Sequence, residues 1–252
     1  MTPPLRRTLG ALLALLLFAV FAALGSWQVK RLFWKLDLIE RVNQRVNAPA
    51  VAPPQLAGVE PAVAQRLLAE NEYRHVRLTG HFLVGRDVQV QAVTQVGSGF
   101  WLLSPLQQDG GGGVVWVNRG FVPPRWTPPA PKADSRVAPV TLTGLLRLSE
   151  PGGGFLRRNE PAAERWFSRD VAAIAQHRGL QPGVLVAPYF VDAQASPAAT
   201  APVVGAATLP VGGLTVVAFH NSHLVYAITW FALALMVPGA AFVVARHNQK
   251  SL

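Results

Sequence analysis

Cysteine is absent from all 252 residues. Its absence excludes a disulfide framework, a thiolate nucleophile and every metal centre built on sulfur, including the soft sites that copper(I) carriers favour. Met1 and Met236 are the only methionines, so thioether copper binding lacks donors as well. Charge is also scarce: charged residues make up 14% of the chain, against about 25% in an average soluble domain. Hydrophobic residues reach 50%, and they must gather where water is not. The phosphate and nucleophile motifs are missing too. Neither glycine run, at 110–113 or 152–154, is followed by Lys-Ser/Thr or fits GxGxxG, so both read as connections between strands. Gly97-Ser98-Gly99 lacks the spacing of a nucleophile elbow. The 13 acidic residues, all between Asp37 and Asp192, contain no paired set suited to hydrolysis. The reading is therefore of a protein that is not an enzyme. The net charge of +10 suggests nucleic acid, but 19 of the 23 basic residues are arginines scattered from Arg6 to Arg246, without a dense block or a reader motif, so no nucleic-acid partner is expected.

Two stretches have no charge at all. Thr8 to Val29 and Leu224 to Ala245 are each 22 residues long, and as helices they would cover roughly 33 Å, enough for a hydrocarbon core near 30 Å. A cleaved signal peptide competes for the first, with Arg6 and Arg7 as its basic region and Ala23 to Gly25 as a small-residue cleavage site, although the run is long for that purpose. The second follows Asn221 and Ser222, good capping residues, and holds Pro238-Gly239, expected to kink or thin its distal half. The expected layout is a cytoplasmic tail at 1–7, a transmembrane helix at 8–29, a periplasmic β-rich domain at 30–222, a second transmembrane helix at 223–245 and a cytoplasmic tail at 246–252. The flanking charges conflict, since Lys30, Arg31, Lys35, Arg41 and Arg45 lie on the domain side. The short tails carry Arg6, Arg7, Arg246 and Lys250, and they weigh more because large domains translocate largely regardless of charge.

Residues 32 to 46 continue the first helical pattern, with Leu32, Leu36, Ile39 and Val46 near one face and Asp37 four residues before Arg41. A proline-rich stretch at 48–54 ends it, and Pro61 opens a short helix through Leu68. The period then changes to two. Val76, Leu78 and Phe82 alternate with polar residues in Tyr73 to Phe82, as do Val88, Val90 and Ala92 with Gln89 and Gln91. Further strands are expected at Gly99 to Leu106, Val114 to Val122, Val140 to Leu148, Val184 to Val191 and Leu214 to Phe219. One helix stands among them, capped by Ser168, with Val171, Ile174 and Ala175 as its stripe and Gly179 as its stop. The fold class is thus an α+β membrane protein: two transmembrane helices flanking a β-rich extramembrane domain, a barrel or curved antiparallel sheet with one or two short helices.

Among the six histidines, His75 and His81 fall on a strand's polar face, His177 in the last turn of a helix, and His247 in a tail. His220 and His223 remain, beside the second span. His223 is followed on one helical face by Tyr226, Ala227 and Trp230, a strip of aromatic and small side chains beneath an imidazole at the depth where a flat, amphipathic ring system can rest. The plainer alternative stays open, because Tyr and Trp are ordinary interface anchors and an interfacial histidine can face water.

At these residues the chain resembles the surfeit locus protein 1 family of cytochrome c oxidase assembly factors. The resemblance begins with Gly25, Trp27, Gln28, Arg31, Lys35, Leu38 and Ile39. It continues through Ser104-Pro105-Leu106, Val117-Asn118-Arg119-Gly120-Phe121-Val122-Pro123, Asn159, Pro161 and Trp166. It ends with Pro188-Tyr189-Phe190-Val191-Asp192 and Asn221-Ser222-His223-Leu224, then Tyr226, Ala227, Thr229, Trp230 and Phe231. Phe121 stands where some members carry Trp, and Ser222 where a second Asn is common. The resemblance implies a protein of the bacterial inner membrane that binds haem a and helps deliver it to oxidase subunit I. His223 is then the haem-linked histidine, with Tyr226, Trp230, Trp27, Arg31 and Lys35 as the expected cofactor contacts. Lys30, Arg31 and Lys35 suit either haem propionates or lipid headgroups. His220, three residues from His223 on a helix, cannot sandwich the same iron. Haem a synthase is a further partner consistent with this role. Two other readings remain: a scaffold that stabilises nascent subunit I without haem, and a two-span sensor, for which tails of about 7 residues leave no output domain.

Overall fold

The computed structural model describes residues 3–127, 138–154, 156–180, 185–195, 209–214 and 221–250. The chain divides into two compact units, residues 1–41 with 218–252, and residues 42–217.

The first unit is a pair of helices. α1 (Pro3–Asn47) continues through the charge-free stretch without a break, supported beyond it by the Asp37–Arg41 ion pair one turn apart. α4 (His223–Lys250) begins where the Asn221 side-chain oxygen accepts the His223 N–H at 3.3 Å and the Ser222 carbonyl accepts the Tyr226 N–H at 3.2 Å. Pro238 sits inside α4 without ending it. On α4, His223, Ala227, Trp230 and Ala234 recur at spacings of four, three and four, the seam of closely packed helices. Gln28 meets His223 and Phe21 meets Trp230, so seven residues back on one helix match seven forward on the other and the pair runs antiparallel. At Gly25 the pair is closely packed: a Cβ there would lie 2.7 Å from the Phe231 ring, a gap that only a small residue leaves open. Away from the seam, Leu12, Leu15, Leu16, Val225, Leu235, Met236 and Phe242 are exposed. So much contiguous apolar surface is stable only in lipid or against a partner, and both helices are long and apolar enough to cross a membrane.

The second unit is a small barrel. Its strands are β1 (His75–Phe82), β2 (Val88–Thr94), β3 (Gly97–Gln108), β4 (Val114–Val122), β5 (Val140–Leu148) and, after a two-residue ribbon of β6 (Gly153–Gly154) with β7 (Arg157–Arg158), β8 (Val186–Ala193). The sheet order is β1-β5-β8-β4-β3-β2, and Gly80–Phe82 pair back onto the end of β3, closing a five-stranded ring with β2 on the other half of β3. One pairing departs from the expected antiparallel pattern. β4 and β8 run parallel, because the chain between them passes through β5, the ribbon and α3 and so returns to the same end of the sheet. Strands in such a pair are covered on both faces, which explains the unbroken run Val114-Val115-Trp116-Val117.

Alternate residues of β4 feed two cores. Val115 and Val117 join Val76, Leu78, Leu106, Leu146, Tyr189 and Val191 inside the ring, with Leu68 of α2 (Pro61–Asn71) packed among them. Trp116 joins Val88, Val90, Leu103, Trp166 and Phe190 on the outer face, beneath α3 (Val171–His177). α3 is capped by Asp170, whose carboxylate accepts the Ala173 N–H at 3.1 Å. Ser168 is not the cap: it lies too far before the first helical residue, and its buried hydroxyl instead bonds Asn159 and the Glu150 carbonyl. The strand expected at Leu214 to Phe219 falls outside the described residues from position 215 onward.

Candidate functional site

Within the helical pair, His223 is half-buried, and its Nδ1 lies 2.7 Å from Oε1 of Gln28. An amide oxygen at that distance accepts a hydrogen bond from the Nδ1–H tautomer of the ring. No hydrogen bond engages Nε2 among the described residues.

Around His223 the expected contacts separate into two groups. Tyr226 is 55% exposed and Trp27 is 56% exposed, while Arg31 is also exposed and rests its guanidinium over Trp34 at 3.9 Å. At about 100° per residue, Tyr226 is turned roughly 60° from His223, and Trp27 and Arg31 are turned roughly 100° and 60° from Gln28. In an antiparallel pair these offsets fall on one flank, opposite the Gly25–Phe231 contact. An imidazole with its aromatic neighbours and a cation therefore shares one side of the pair. Trp230 does not join them. Its ring stacks on Phe21 at 5.8 Å between centroids and belongs to the seam, as the four-three spacing requires. Lys35 lies half-buried two turns beyond Gln28 on the same stripe of α1. His220 lies outside the described residues.

Among the described residues no group of three or more His, Asp or Glu side chains gathers as a site for a bare ion. With one imidazole, a metal held here would need its other donors from a chelating macrocycle, and Trp27, Tyr226 and Arg31 are the side chains that could meet such a ring. Gln28 was not among the expected contacts. Its signal was present, as the one amide side chain in the charge-free stretch, but its partner is 195 positions away in sequence.

The remaining motif residues build the barrel. Asp192 is buried and accepts from Asn118 at 2.7 Å and from Arg147 and Arg169 at 3.3 Å each. Burial alone would raise the Glu150 carboxyl, but hydrogen bonds and charge from Arg169 outweigh it and hold Glu150 below the usual carboxylate range. Asn118 also accepts the Gly120 N–H at 3.1 Å, and Gly120 has φ +132 with the Val211 carbonyl where a Cβ would stand. A concavity of about 580 Å³ lies beside this cluster, lined by Val93, Thr94, Gln95, Trp101, Arg147, Arg169 and Leu214. Arg169 is held by both Glu150 and Asp192, whereas Arg147 gives one hydrogen bond to Asp192 and its buried Nε has no hydrogen-bond partner.

The model of the SURF1 family matches residues 15–235, both helices and the barrel together. The chain is 32% identical to Surfeit locus protein 1 of Rattus norvegicus over 226 residues, covering 83% of this chain and 67% of that protein. It is likewise 32% identical to the Homo sapiens protein of that name over 238 residues, covering 87% of this chain and 72% of that protein. A SURF1-like protein of Caenorhabditis elegans is 29% identical over 238 residues, covering 88% and 70%.

Proposed function

The chain belongs to the SURF1 family, and from that premise we propose that it is a non-enzymatic assembly factor for haem-copper cytochrome c oxidase that binds haem a at His223 and hands it to subunit I. The observation that carries the reading is the half-buried His223 ring, whose Nδ1 is occupied by Gln28 and whose Nε2 is not. Neutral imidazole is the common protein ligand of haem iron. A haem with a long isoprenoid tail needs both that ligand and lipid, and His223 opens a helix apolar enough to lie in lipid. Trp27 and Tyr226 supply planar contact, and Arg31 and Lys35 supply positive charge for the propionates. Trp230 acts by fixing the helix pair rather than by touching the haem.

One protein ligand and an open flank make a site that holds its cargo and still lets it go. In this reading the bilayer is that of a bacterial inner membrane, both termini are cytoplasmic, the barrel is periplasmic, and haem a synthase is the source of cargo. The test is the absorption spectrum of detergent-extracted protein from cells that make haem a. The wild type should show bound haem a and His223→Ala should not.

A second reading has its own support in the exposed apolar faces of α1 and α4, which include Leu235, Met236 and Phe242. These could dock against the helices of nascent subunit I without any haem. Co-purification with subunit I that persists in His223→Ala, from protein that never carries haem, would favour it.

A further inference from the structure

Gln28 lies in the charge-free stretch of α1, where an amide side chain is costly to bury unless it is hydrogen-bonded. Its Oε1 meets His223 Nδ1 at 2.7 Å across the helix pair. Two features hold this bond in register. Phe21 stacks on Trp230 two turns away along the seam, and Gly25 lets the helices approach between them. At the other partner, the Asn221 side chain fixes the His223 backbone N–H at 3.3 Å, so the ring departs from a defined first turn. An imidazole can present Nε2 to a metal only when its proton sits on Nδ1, and a hydrogen-bond acceptor at Nδ1 both selects that tautomer and makes Nε2 a better donor to the metal.

We infer that Gln28 is the positioning residue of the site: its amide oxygen locks His223 in the Nδ1–H tautomer, aims Nε2 outward and strengthens it as an iron ligand. The inference rests on the reading of His223 as that ligand, but its first consequence is a property of the protein without haem. Gln28 touches no haem itself and acts through the imidazole alone. An outer-shell acceptor of this kind changes the affinity of the metal site about 10- to 100-fold.

The first arm of the test is nitrogen NMR of full-length protein in detergent, labelled with 15N-histidine and assigned with His223→Asn. The wild type should show His223 protonated at Nδ1 and bare at Nε2, and Gln28→Leu should lose that restraint. In the second arm haem a and haem b are titrated into the wild type, Gln28→Leu and Gln28→Glu, each checked for helix content by circular dichroism. Gln28→Leu should bind about 10- to 100-fold more weakly. Gln28→Glu, which keeps an acceptor at Nδ1, should recover most of the loss and shift the iron–imidazole stretching frequency upward in resonance Raman spectra. A wild-type ring protonated at Nε2, or a Gln28→Leu variant that binds haem as tightly as the wild type with an unchanged stretching frequency, overturns the inference. If His223→Ala keeps its haem, the ligand reading itself fails, a result separate from both.

Discussion

Replacing Asp192 with alanine removes the carboxylate on which the parallel β4–β8 pair and β5 converge. Asp192 is 3% exposed, and it takes hydrogen bonds from Asn118, Arg147 and Arg169 at 2.7, 3.3 and 3.3 Å. Removing one partner of a buried ion pair costs about 3–5 kcal/mol, because the other charge stays behind. Two guanidiniums are affected here, but the loss is not doubled. Arg169 keeps Glu150 at 2.5 Å, and Arg147 keeps Glu72 at 4.0 Å. For a chain of this size each kcal/mol moves Tm by about 2–4 °C, so Asp192→Ala should melt about 6–20 °C below the wild type. Asp192→Asn keeps one oxygen for the cluster and should lose about 1–3 kcal/mol. The assay is thermal unfolding of the full chain in detergent, followed by tryptophan fluorescence, to which Trp116 and Trp166, both buried in the outer core, contribute among seven tryptophans. If Asp192→Ala melts within about 2 °C of the wild type, the buried network does not hold the barrel and the reasoning fails.

Gly25→Val should wedge the helix pair against the Phe231 ring, cost about 1–3 kcal/mol and weaken haem binding, whereas Gly10→Val, with open space around its Cβ, should do neither; Tm and haem titration of both variants check this. Tyr189 is pushed up to about 12 by burial inside the barrel. Its unfolded-state phenol ionises near 10, so its share of stability is complete below about pH 10 and is lost between about 10 and 12. Urea unfolding across that window should show Tyr189→Phe falling less steeply than the wild type, by about 2–3 kcal/mol. Val93 is 81% exposed, and the chain has no cysteine to confuse labelling. In intact cells Val93→Cys should react with a maleimide that crosses the outer but not the inner membrane; protection until the inner membrane is opened would reverse the proposed topology.

The parts of this molecule that could be read from the sequence are those set by local pattern. The two long helices follow from charge-free runs, and β1 and β2 from the alternation of Val76, Leu78, Val88 and Val90. Partners distant in sequence were not readable. Nothing local says that Gly80–Phe82 closes the ring on β3, or that β8 lies parallel to β4, since any strand of the right pattern could pair there. The α3 cap moved from Ser168 to Asp170 because both residue types cap helices and the apolar stripe fixes the start only to within a turn. At the site, spacing placed His223, Tyr226 and Trp230 along α4, where the structure has them, but could not show what the Trp230 ring meets. Its ring turned out to be bound to Phe21, a contact set by the other helix. Gln28 belongs to the motif Gly25-x-Trp27-Gln28, but its contact with His223 exists only across the pair.

The most direct test of the account is the ratio of haem to protein, measured by pyridine haemochrome, in purified full-length wild type and His223→Ala from cells producing haem a. The wild type should carry a filled site and the variant at least a roughly tenfold lower ratio, with the barrel's melting temperature unchanged. Equal haem content in the two proteins would contradict it.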